Sequence, residues 1–144
     1  MKKILVACIT GCLFLASPAM ARNDQSKFSI NELLQTDKAK QALYDIPLYF
    51  ADQPFPKPTR KQTGITTNKK TNAFGKSDKE ACEWAFLSAI KALQERAEKE
   101  GMNAVVNIKS NYKHKEFSSR TEFECGAGNV IAGVALKADI AKLP

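Results

Sequence analysis

Four cysteines, a single histidine and a closely spaced pair of glutamates are the residues of this chain with the most chemistry to offer. Cys8 and Cys12 lie in an apolar N-terminal stretch, while Cys82 and Cys125 stand alone in the body of the chain. In an oxidising compartment one disulfide is the default for such a pair. The alternative is a redox-active or metal-binding pair. Redox pairs usually come as Cys-x-x-Cys, and two isolated thiols lack the further ligands that zinc needs. His114 sits between Lys113 and Lys115 without a partnered nucleophile, which reads as a solvated surface residue. Glu122 and Glu124 share one face of a strand, but nothing around them separates their pKa values into an acid and a base. No serine occupies a Gly-x-Ser-x-Gly elbow. Gly75-Lys76-Ser77 mimics the end of a phosphate-binding loop, yet that loop needs glycine where Lys70 stands. The sequence therefore predicts no catalytic, cofactor-binding or metal-binding residue, and no enzyme.

The apolar stretch belongs to a secretory signal in three parts. Lys2 and Lys3 are the charged start, Ile4 to Ala16 the apolar middle, and Ala19-Met20-Ala21 an A-x-A cleavage site before the polar run from Arg22. The apolar part is too short to cross a bilayer of roughly 30 Å, and no second one follows, so no transmembrane segment is expected. Ile9-Thr10-Gly11-Cys12 loosely fits a lipobox that would put a lipid on Cys12, but the apolar run continues past it to a better cleavage site. The expectation is a periplasmic or secreted chain starting at Arg22. Its charge falls from +7 to +5 as Lys2 and Lys3 leave, and in that compartment nucleic acid is not an expected partner.

The elements that must position these residues follow from periodicity. Residues 22–62 read as a polar lead-in with a capped amphipathic turn or helix between Ser29 and Leu43. An aromatic stretch follows that Pro47 confines to an edge strand or irregular segment, and then a linker marked by Pro54, Pro56 and Pro58. Residues 63–144 read as an α+β domain. A short strand around Gly64–Asn68 precedes a helix from Asp78 to Glu100, capped by Ser77 and Glu80 and ended by Gly101. Cys82, Ala85, Phe86, Ala89, Leu93 and Ala97 fall on one face of that helix. Two strands then alternate. In one, Ala104, Val106, Ile108, Ser110 and Tyr112 share a side; in the other, Thr121, Phe123 and Cys125 do, resuming at Val130 after a turn or bulge at 126–129. The predicted fold is one long helix on a small antiparallel sheet, in the order strand, helix, strand, strand. Cys82 and Cys125 then point into the same interface.

Two surfaces stand out. Trp84 and Leu87 lie on the helix face turned away from the sheet, where either the N-terminal segment folds back over them or a partner, including a second copy, does. Lys57, Arg60, Lys61, Lys69 and Lys70 make residues 52–76 basic. They form either a solvated loop surface or a contact for an anionic envelope component or acidic protein.

The runs Asp78-Lys79-Glu80-Ala81-Cys82-Glu83-Trp84-Ala85-Phe86, Glu100-Gly101-Met102-Asn103-Ala104-Val105-Val106-Asn107-Ile108 and Cys125-Gly126-Ala127-Gly128-Asn129-Val130 resemble small exported proteobacterial proteins often labelled "excinuclease ATPase subunit". The absent phosphate loop and the export signal contradict that label here. More distantly, residues 64–138 are similar to the YbjQ-like small-domain family and to the signalling domain of the Rcs envelope-stress sensor lipoprotein. The first resemblance implies an oligomerising fold with a heavy-metal label, for which this chain has no ligand cluster. The second implies envelope interaction and a cysteine in the last strand, where Cys125 lies. That lipoprotein is lipidated and has two disulfides, whereas this chain offers one. Together these readings predict a non-enzymatic periplasmic protein that binds a protein or envelope component, with a small-ligand or metal carrier as the alternative and an enzyme last.

Overall fold

The computed structural model describes residues 22–144. The predicted signal peptide, with Cys8 and Cys12, lies outside the described residues. Among those described, no helix is long and apolar enough to cross a membrane.

The chain runs β1 (Asp24–Ser29), α1 (Ile30–Leu34), α2 (Asp37–Ala42), β2 (Leu48–Phe50), β3 (Arg60–Asn72), α3 (Asp78–Lys99), β4 (Ala104–Ser110), β5 (Glu122–Ala127) and β6 (Ile131–Lys142). β6 is the organising strand. Along one edge it pairs antiparallel with β3, from Arg60↔Lys142 to Asn72↔Ile131. Its other edge is shared, with β5 on its first residues (Ala127↔Ala132, Gly126↔Gly133) and β4 on the rest (Ser110↔Leu136 to Ala104↔Ala141). β1 lies antiparallel outside β5, and β2 parallel outside β4.

The fold is thus α+β as expected, but among the described residues it has three helices and a six-stranded sheet, larger than the one predicted. Residues 22–62, read as a lead-in with a helical turn, an edge strand or irregular stretch and a linker, supply β1, β2 and the start of β3. These strands are hard to see in sequence because they lie at sheet edges. β3 buries only Ile65 of its thirteen residues, and its lysines are typical of a strand that must not pair with a neighbouring molecule.

α3 begins where Ser77 Oγ accepts the Glu80 N–H at 3.1 Å. It ends in a Schellman turn: Gly101, at φ 71°, donates to Glu98 O, and Met102 donates to Ala97 O at 2.8 Å. Its predicted apolar face is fully buried against Ala132, Val134, Leu136, Ala138 and Ile140 of β6, with Phe86 stacked 4.1 Å from Phe123. The many alanines on both sides bring helix and sheet close. The Cys82–Cys125 disulfide forms in this interface, its Cα atoms 5.8 Å apart, and ties the first turn of α3 to β5.

The opposite face of α3 is covered by α1, α2 and the residues that follow them. Leu87 is only 1% exposed and shares a core with Ile30, Leu33 and Ala39. It is therefore not part of an exposed surface, which corrects the pairing of Leu87 with Trp84. Trp84 remains 37% exposed, with the Lys38 ammonium 5.4 Å from its ring. The clamp on this side is Gln94, a residue that the helix wheel does not single out. Buried, it donates through Nε2 to Tyr44 O and Ile46 O and accepts the Tyr44 N–H, each at 3.0 Å. Lys38 and Glu83, 2.9 Å apart, add a half-buried ion pair.

Two irregularities flank β6. Asn107, at φ 53°, breaks the β4 register, so Val105 and Ile108 face α3 while Ala104 and Val106 pack on the other side with Ala141 and Leu143. The expected grouping of Val106 with Ile108 fails for this reason. Gly64, at φ 72°, breaks the β3 register opposite. The Asp139 carboxylate joins the two bulges, accepting from Asn107 Nδ2 at 2.7 Å and from the Gly64 N–H at 3.1 Å.

Replacing both Cys82 and Cys125 with serine should lower the unfolding free energy by up to about 4 kcal/mol, the loop-closure value for this span. The double variant should also lose the sensitivity of thermal unfolding to dithiothreitol. Gln94→Leu strands one N–H and two carbonyls, at an expected cost of about 1–3 kcal/mol in urea unfolding. It should also speed hydrogen exchange at the Tyr44 amide.

Candidate functional site

The face of the sheet away from α3 is hollow where the central strands carry almost no side chains. Gly126 of β5 pairs with Gly133 of β6, and Ala135 continues the floor. One wall is β3, whose alternate residues Thr66, Asn68 and Lys70 line the hollow with the period of a strand. The other wall is the connection after β4. Asn111 N–H donates to Ala135 O at 2.8 Å, and the chain then turns through two successive left-handed residues, Lys113 (φ 53°) and His114 (φ 60°). It returns to pair Phe117 with Ser110. Together these walls enclose a groove of about 610 Å³.

Tyr112 explains the glycine at 126. Its ring lies directly on the β5 backbone, so that a Cβ on Gly126 would sit 1.9 Å from the phenolic oxygen. The Tyr112 hydroxyl donates to Asn23 Oδ1 at 3.0 Å, closing one end of the groove onto the residues before β1. Arg22 sits at that end. It donates to Asn129 Oδ1 at 3.0 Å and pairs with Asp24 at 2.7 Å and with Asp78. Hydrogen bonds donated to Asp78 and then Asp24 push the guanidinium pKa still higher than usual.

The groove is positive. Its lining includes Arg22, Lys70, Lys113 and His114, and no aspartate or glutamate. Among the described residues neither Lys70 nor Lys113 takes part in an ion pair. Glu116, on the same connection as His114, is already engaged between Lys137 at 3.0 Å and Lys109 at 3.1 Å. Those hydrogen bonds, that from Lys137 first, hold its carboxyl below the usual carboxylate range. The arrangement can bind an anion through ammonium groups, amides and hydroxyls. Among the described residues no three histidines, cysteines or acids converge as metal ligands.

The structure disperses the basic residues picked out in the sequence. Lys57 is exposed ahead of β3, and Lys61 is exposed near the end of the strand remote from the groove. Arg60 caps α3, donating to Glu100 O at 3.1 Å and Gly101 O at 3.3 Å, where the helix dipole is negative. Lys69 faces α3 with Thr67 and Ile65. Of the five, Lys70 alone reaches the groove, which His114, expected as an isolated loop residue, also lines. Tyr112, Asn111, Asn68 and the Gly126–Gly133 pair were not singled out. The alternation Thr66-x-Asn68-x-Lys70 is the one trace of this wall in the sequence.

Comparison with protein-family models, with curated proteins and with solved structures finds no match for the chain.

Gly126→Ala should expel the Tyr112 ring and break its bond to Asn23, costing about 1–3 kcal/mol in urea unfolding. In a Tyr112→Ala background the same change should cost far less, and the double-mutant cycle measures that coupling.

Proposed function

We propose that the chain is a non-enzymatic binding protein of the cell envelope whose groove takes anionic groups displayed by an envelope component. The observation that carries this reading is the acid-free lining, with Lys70 on one wall, Lys113 on the other and a floor of Gly126, Gly133 and Ala135. A low floor lets an elongated anion lie close to the sheet, and unpaired ammonium groups on both walls supply the attraction. Tyr112, Asn111, Asn68 and Thr66 add donors that orient it. The predicted export signal and the Cys82–Cys125 disulfide fit an oxidising compartment, where such components are found. The resemblance to the Rcs sensor signalling domain points the same way.

The test is titration with inorganic polyphosphate, against neutral dextran as control. The chain should bind polyphosphate, more weakly as salt is raised. Lys70→Glu combined with Lys113→Glu should reduce affinity about tenfold or more, while Lys57→Glu, outside the groove, should leave it unchanged. Absence of binding, or equal loss in the Lys57 variant, would overturn the assignment.

A further inference from the structure

One end of the sheet presents large apolar side chains to solvent from two loops that are bonded to each other. Phe74, between β3 and α3, is 77% exposed; Val130 and Ile131, at the β5–β6 turn, are 61% and 53% exposed. The three line one apolar depression together with Lys70 and Asn72. The loops are not slack. Ala73 N–H donates to Val130 O at 2.7 Å, Phe74 N–H donates to Asn72 Oδ1 at 2.8 Å, and Lys76 N–H closes the turn onto Ala73 O at 3.1 Å. Gly75, at φ 72°, supplies the left-handed residue that this turn requires. Phe74 is thus held outward by an ordered backbone, although an apolar side chain gains from burial and loses by display.

The rim of this tip is basic. Lys70 lines it, and the Lys76 ammonium donates to Asn72 O at 3.0 Å, beside the depression. No aspartate or glutamate lines it, and Asp78, which follows the turn, is engaged by Arg22. An apolar point flanked by two ammonium groups complements a surface that is anionic outside and apolar beneath. A bilayer with anionic headgroups is such a surface.

We propose that Phe74, Val130 and Ile131 insert into the surface of an anionic phospholipid bilayer while Lys70 and Lys76 contact its phosphates. Lys70 and Ile131 also line the groove, so docking by the tip sets the groove mouth at headgroup level. The inference rests on the anion-binding reading for the groove's occupant, but not for insertion of the tip.

Flotation of the full chain, as purified, with phosphatidylcholine vesicles and with phosphatidylcholine–phosphatidylglycerol vesicles tests it. The chain should float with the mixed vesicles and much less with the neutral ones, and added salt should release it. Phe74→Ser with Val130→Ser should lower partitioning about tenfold or more, yet leave thermal unfolding and polyphosphate binding unchanged, because both side chains are exposed. Flotation undiminished in that variant would overturn the proposal. So would polyphosphate binding by a chain that ignores both kinds of vesicle, an outcome that assigns the anionic component to an acidic protein or glycan instead. Vesicle binding that depends on Phe74, with no affinity for polyphosphate, would uphold the tip and overturn the groove reading alone.

Discussion

β6 carries its backbone between β3 on one edge and, on the other, β5 for its first residues and β4 for the remainder. A strand paired this way has its register set three times over. A slip of one residue would turn Val134, Leu136 and Ile140 out of the core and bring Lys137 and Asp139 in. The helix side reinforces this constraint, since α3 packs its alanine-rich face along the same strand. The remaining elements attach to this pair. The disulfide holds the start of α3 to β5, Gln94 holds the N-terminal arm to the outer face of α3, and Asp139 steadies the bulges on either side of β6.

The two faces of β6 use small residues for different ends. On the helix side, Ala132 and Ala138 allow a close approach and a dense core. On the other side, Gly133 and Ala135 leave space, and that space becomes the groove. A long side chain at either position of the outer face would fill the hollow without disturbing the core. The groove's charge arises by subtraction. Of the basic side chains in its lining, Arg22 is engaged by Asp24 and Asp78, which leaves Lys70 and Lys113 as its free ammonium groups among the described residues. Exposed ion pairs of this kind add about 0–1 kcal/mol each to stability, so their weight here is in shaping the field rather than in holding the fold.

The main helix was legible to within a residue because its caps, its terminal glycine and its apolar stripe agree. β5 and β6 were legible as strand-like alternation, though counted as one strand resuming after a turn or bulge where the structure has two antiparallel strands. The shared direction of Cys82 and Cys125 was legible too. The edge strands were legible only in part: the short strand around Gly64–Asn68 is the middle of β3, and the stretch that holds β2 reads as either an edge strand or an irregular segment. β1 and the rest of β3 bury too little to alternate visibly, and β2 is three residues long after a proline. Leu87 was placed on the outer face of the helix, but a helix wheel does not decide between the two covers open to that face, a folded-back N-terminal segment or a partner. The structure covers Leu87 with the former. In β4 a single left-handed asparagine reversed the alternation. The groove was almost invisible, since its floor is made of absent side chains and its walls come from segments some forty residues apart.

Local patterns along the chain determine its capped helix, its strands with an apolar side and the one cysteine pair of the body, since each depends on neighbours within a few residues. The pairing of β6 with three strands, the burial of Leu87 and Gln94, the convergence of Lys70 with Lys113 and His114, and the joining of Phe74 with Val130 are tertiary outcomes. They depend on which backbone edges and helix faces meet, and contacts between distant segments leave no periodic trace in the sequence.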